Sequence, residues 1–138
     1  TIGGFAESGE ISAGPLKAEV SGAPATVWVS ALDTAPVSQS ERLLLSHLTD
    51  VQNTGVRFAE RARKTLLSNG KLPYLVRMGQ AEVSLALNAP QAYAVYALST
   101  NGRRLQKLLV KVDNGRLCFT ASVRGVEGAC MLYEIVRE

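Results

Sequence analysis

Between residues 75 and 112 apolar and polar positions alternate in short runs separated by turn signals, and the alternation is cleanest in AEVSLAL. There Ala81, Val83, Leu85 and Leu87 share one face and Glu82, Ser84 and Ala86 the other, the period of two that a half-buried strand requires. The stretch reads as successive strands of an antiparallel sheet. Upstream, LKAEV (16–20) and ATVWVSAL (25–32) read as a hairpin turned at SGAP, with Val27, Val29 and Ala31 opposed to Thr26, Trp28 and Ser30. Asn101-Gly102 and Asn114-Gly115 are turn dipeptides that supply the positive φ angles of tight hairpins. RLCFTASV and CMLYEIV close the chain around Gly125 and Gly128.

Local rules disagree between residues 37 and 70. Ser38-x-x-Glu41 is a capping box ahead of an apolar run, and FAERARKTLLSNG spaces Phe58, Ala62, Thr65 and Leu66 as a helix would, with Gly70 at its C-cap. Yet RLLLSHLT is short and continuously apolar, which suits a buried strand equally well. In a strand-dominated chain the expectation is a buried strand over 42–49. A long loop or short helical excursion then spans residues 50–73. The fold expected is an all-β, antiparallel β-sandwich of about eight or nine strands. It occupies residues 1–138 as a single domain, with the Gly- and Ser-containing residues 1–15 as a loosely ordered leading segment or linker remnant anchored by Phe5.

Composition supports a packed core: 46% of residues are hydrophobic and 20% charged, too apolar for disorder. Area scaling predicts that a chain of 14.7 kDa exposes about 7,000 Å² when folded. The net charge of +3 is spread along the chain without a block that could track a phosphate backbone, which argues against nucleic-acid binding. No apolar run approaches the ~20 residues of a membrane-spanning helix. The first residues also lack the charged and apolar regions of a signal peptide. A start at Thr1 is expected of a processed or excised piece.

Little in the chain declares chemistry. His47 is the only histidine, which excludes a multi-imidazole metal site, and its neighbours Ser46 and Asp50 do not form a triad with it because adjacent strand residues point to opposite faces. The expectation is a satisfied histidine at the edge of a packed strand. Glu82 and Glu134 lie on polar strand faces, and Asp33, Asp50 and Asp113 lie at turns; no pair stands out for glycoside cleavage, and no loop gathers calcium ligands. Phosphate-cradling glycine motifs are missing, so no nucleotide cofactor is expected, and with one histidine, two cysteines and no calcium loop no metal is expected either. Cys118 and Cys130 would face each other in a terminal hairpin, within reach of a bridge, although buried free thiols are the commoner state. Trp28, with Tyr74 and Tyr93, is the aromatic set that a sugar platform would use, against the alternative that a neighbouring domain covers the Trp28 face. Tyr93 and Tyr96 differ in parity, so at least one faces the core.

The order of motifs ATVWVSALD, SERLLLSHLTDVQNTG, LVRMGQAEVSLAL, AYAVYALSTNGRR and MLYEIVR resembles the C-terminal β-sandwich that follows the catalytic barrel in some large bacterial glycoside hydrolases. The corresponding residues are Val29 to Asp33 with Pro36, Ser40 and Arg42 to Leu44; Gly79 to Leu85; and Val95 to Leu98 with Gly102 and Arg104. Ser99 stands where the pattern often has Asp. The resemblance implies a non-catalytic accessory domain, because the catalytic carboxylates of such enzymes lie on the barrel. Its partner would be that catalytic domain, and its parent would be secreted or periplasmic. Arg57, Arg61, Arg63 and Lys64 are then candidates for the domain interface. The alternative is an independent carbohydrate-binding module that takes a polysaccharide or oligosaccharide on its exposed aromatics.

Overall fold

The computed structural model describes residues 1–138 and is all-β. Two antiparallel sheets pack face to face as a sandwich. Along the chain come β1 (Ile2–Ala6), β2 (Gly9–Ala13), β3 (Leu16–Ser21), β4 (Ala25–Ala31) and β5 (Arg42–Leu48). An arm follows, made of β6 (Val51–Thr54), β7 (Arg57–Phe58), β8 (Leu66–Ser68) and β9 (Lys71–Val76). The chain then returns to the sandwich through β10 (Gln80–Ala86), β11 (Tyr93–Leu98), β12 (Arg104–Lys107), β13 (Lys111–Asp113) and β14 (Arg116–Ser122). A small hairpin of β15 (Arg124–Gly125) and β16 (Gly128–Ala129) precedes the last strand, β17 (Leu132–Arg137). One sheet has six strands in the order β1-β4-β5-β17-β11-β12, and the other has five in the order β13-β14-β10-β3-β2.

The alternation expected of AEVSLAL is present: Ala81, Val83 and Leu85 are buried in β10, and Glu82 is exposed. Facing them across the interior are Val27 and Val29 of β4, Leu43 and Leu45 of β5, and Tyr133 and Ile135 of β17. β5 is the continuous apolar strand expected over 42–49. Its run lacks polar alternation because its outward residues Leu44 and Leu48 are themselves half-buried. Parity also separates the tyrosines, since Tyr93 lies in the core and Tyr96 on the outer face of the six-stranded sheet.

Several local expectations are corrected. β3 and β4 do not form a hairpin; the SGAP turn carries the chain from one sheet to the other. The stretch from 75 to 112 likewise divides, with β10 and β13 in the five-stranded sheet and β11 and β12 in the six-stranded one. Residues 1–15 are not a loose leader but supply β1 and β2, each paired to the sandwich, while Phe5 is 64% exposed and anchors nothing. Gly3 is held there by close approach: a Cβ on it would lie 2.3 Å from the Cβ of Trp28, its partner on β4. Asn114 and Gly115 both have positive φ, as a tight hairpin turn demands, whereas at Asn101-Gly102 only the glycine does.

The excursion between 50 and 73 is neither loop nor helix. β6 pairs with β9 and β7 with β8, forming a ribbon that stands away from the sandwich. The 22-residue core contains nothing between Leu45 and Ala81. The accessible area of 7977 Å² exceeds the about 7,000 Å² expected of a compact chain this size, as a protruding ribbon would make it. The arm is rooted narrowly, by a backbone bond of 2.8 Å from Arg77 N to Asp50 O and one of 2.6 Å from the Thr49 hydroxyl to Arg77 O.

Candidate functional site

The residues that could carry chemistry are dispersed. His47 points into the interior with the same parity as Leu43 and Leu45 and is fully buried, not at an edge. Neither ring nitrogen has a hydrogen-bond partner in the protein, and burial pushes the imidazole below its ordinary pKa. Ser46 is on the opposite face, as expected, and Asp50 is engaged elsewhere. The cysteines do not face each other: Cys118 lies on β14 of the five-stranded sheet, and Cys130 is buried just before β17 of the six-stranded one. Both are free thiols. The terminal hairpin that would have brought them together does not form, because β14 pairs with β10 and β13, and β17 with β5 and β11.

The three aromatics do not share a surface. Tyr93 is a core residue whose hydroxyl donates to Ser40 O at 2.9 Å, so its ring has no face for a sugar. Trp28 is half-buried on the outer face of the six-stranded sheet, and Tyr74 is 65% exposed on the arm.

The arm gathers what remains. Residues 50–78 hold six of the fifteen basic residues and two of the twelve acids, a net +4, so the rest of the molecule carries −1. Arg57, Arg61, Arg63 and Lys64 are all exposed there, and Lys71 and Arg77 on the returning side join them. Only Arg63 is paired: its guanidinium reaches back 2.7 Å to Asp50, which also accepts a hydrogen bond of 2.8 Å from Gln52 Nε2. Arg63 lies in the left-handed region at φ 54, and that ion pair orients it. The pair holds the Asp50 carboxyl below its ordinary pKa.

Between the cations the arm is apolar. Seven of the thirteen exposed large hydrophobic residues lie between 51 and 78, among them Leu67, Leu72 and Tyr74. A cleft of about 360 Å³ opens on the arm between Phe58, Leu66 and Tyr74, with Gln52, Asn53 and Arg63 as polar groups. A second of about 370 Å³ runs from Tyr74 and Met78 to the β15–β16 hairpin. The sequence located four of the cations and, of the apolar groups between them, Tyr74 alone, because the arm strands add nothing to the core and carry no period-two signal.

A second cluster, on the outer face of the six-stranded sheet, was not legible at all. Glu134 is 3% exposed and accepts Arg42 Nε on one oxygen and Arg104 Nε on the other, each at 2.6 Å. It sits on the polar parity of β17 but under two arginines rather than in solvent. The three residues are 92 and 30 positions apart, which no spacing rule connects. No protein-family model, curated protein or solved structure matches the chain.

Proposed function

We propose that this chain is a non-catalytic accessory domain of a carbohydrate-active enzyme, and that its arm packs against a neighbouring catalytic domain. One observation carries the reading: a ribbon that adds nothing to its own core displays apolar side chains and five unpaired cations together. Left in water, such a ribbon costs ordering entropy with little burial in return. Covered by an apolar surface with an acidic rim it becomes favourable. The motif order resembling glycoside-hydrolase C-terminal sandwiches supports the choice of a catalytic barrel as the neighbour. The enclosure of the lone histidine supports a non-catalytic role.

Two measurements test the reading. The purified 138 residues should show no turnover on a panel of aryl glycosides, and robust turnover rejects the non-catalytic role. Amides of residues 51–76 should be strongly protected from exchange in the full parent chain relative to the isolated domain. Equal exchange in the two rejects the arm as the contact.

The carbohydrate-binding alternative draws its support from the arm cleft, where the exposed Tyr74 ring adjoins the Gln52 and Asn53 side chains. Saturable heat on titrating oligosaccharide into the isolated domain, abolished by Tyr74→Ala, would favour it.

A further inference from the structure

The two outer faces of the sandwich differ in character. On the five-stranded sheet Glu10, Glu19, Glu82 and Thr120 lie opposite one another on β2, β3, β10 and β14, all exposed, as on an ordinary solvated face. On the six-stranded sheet the outward residues include half-buried Trp28, Leu44, Leu132 and Val136, with the buried Glu134 carboxylate between Arg42 and Arg104.

We propose that Arg42 and Arg104, fixed by Glu134, form a receptor for a second carboxylate, supplied by a small organic acid or a sugar acid. Three observations carry this. First, one arginine would neutralise Glu134, but two are present, and the trio holds a net +1 that one monoanion cancels. Second, each guanidinium uses only its Nε–H on Glu134; the terminal nitrogens of Arg42 and Arg104 make no hydrogen bond within the protein, and the side chains are 63% and 47% exposed. Guanidinium forks match carboxylate geometry, so these donors face solvent ready for such an anion.

Third, Arg104 is held from a second side before any ligand arrives. The Arg104 guanidinium stacks 4.2 Å from the Tyr96 ring centroid. Tyr96 is fixed in turn by its hydroxyl bond to Glu138, which also accepts Lys107 Nζ at 2.7 Å. Ordering long side chains is part of the cost of binding, and here the fold lowers it through the Glu134 bonds to both arginines and the stacking of Arg104. A dianion suits the site poorly, because Glu134 lies directly beneath and the net charge is only +1. This proposal uses no residue of the arm and stands apart from the accessory-domain reading.

The test is a titration of the ¹⁵N-labelled chain at constant ionic strength, observing the arginine Nε–H signals. Propionate and glucuronate are the ligands; glucose, chloride and inorganic phosphate are the comparators. Saturable movement of the Arg42 and Arg104 signals with a carboxylate is expected, with affinity at least about tenfold lower in Arg42→Gln and Arg104→Gln. Tighter binding of glucuronate than of propionate identifies a sugar acid as the source, and the reverse order identifies an aliphatic one. The proposal is overturned if the wild-type signals do not move. It is equally overturned if chloride moves them as much, if phosphate binds more tightly than both acids, or if neither substitution weakens binding. Both substituted positions are substantially exposed, and the wild-type titration decides the matter by itself should either variant misfold.

Discussion

The Tyr133 hydroxyl donates a 2.6 Å hydrogen bond to the carbonyl of Ser122, joining β17 of the six-stranded sheet to the end of β14 in the five-stranded one. The Tyr133 ring lies 6.3 Å from that of Phe119, also across the interior. The contact ties the two sheets together within a core that both supply. Tyr133→Phe keeps the ring but orphans a carbonyl, and should lower stability by about 1–2 kcal/mol in urea denaturation. A loss below about 0.3 kcal/mol would mean that the Ser122 carbonyl finds another donor.

Burial of an unpartnered imidazole makes stability depend on acidity. The folded pKa of His47 lies below its unfolded value of 6.5, so the neutral ring is the form that folds. Above pH 6.5 the group contributes no slope. Below it the unfolded chain binds the proton first, and stability should fall by up to about 1.4 kcal/mol per pH unit until the folded pKa is reached. His47→Leu replaces the ring with an apolar group of similar size. It should leave stability at pH 8 level or raised and remove the slope that begins at pH 6.5. An unchanged slope in the variant would assign the acid sensitivity elsewhere.

A second acid window opens lower. Hydrogen bonds from Arg104 and Arg42 hold the Glu134 carboxyl below its ordinary value of 4.5, so its contribution is present at neutral pH and is lost as pH falls through that lowered value. The asymmetry of burial predicts an order of damage. Glu134→Gln leaves two arginines that water reaches, whereas Arg42→Gln with Arg104→Gln leaves a buried carboxylate uncompensated. The double variant should therefore have the lower Tm at pH 7, and the gap should close as the pH falls toward 4.5, because a buried carboxylate without its arginines takes up its proton above that ordinary value. Equal melting of the two variants at pH 7 would contradict that account of the burial.

The arm should be separable from the fold. Asp50 and Arg77 already sit as a backbone pair at its root, so replacing residues 51–76 with Asn-Gly asks only for a tight turn. The shortened chain should fold with the sandwich resonances of β4, β5 and β17 in place and lose no more than about 1 kcal/mol. Failure to fold would show that the core depends on the ribbon.

These relationships were unevenly legible in the sequence. Alternation found β10, continuous hydrophobicity found β5, and Asn114-Gly115 found a hairpin, because each is dictated by groups within a few residues of one another. Pairing was not legible. LKAEV and ATVWVSAL alternate in the same way whether they pair with each other or with strands of opposite sheets, and the chain takes the second course. The arm misled for a different reason. FAERARKTLLSNG has helical spacing by coincidence, while its strands β7 and β8 are too short and too little buried to show a period of two. His47 and Glu134 could be assigned faces by parity, but not the missing partner of one or the paired arginines of the other, which depend on residues far apart in the chain.

The narrow root at Asp50 and Arg77 also bears on inheritance. If the shortened chain folds as expected, changes within residues 51–76 hardly register in folding, and selection on them comes from whatever surface the ribbon meets. Related chains should therefore preserve the sandwich while the ribbon changes in step with a partner, and the residues most variable by the standards of the core would be the ones most informative about its company.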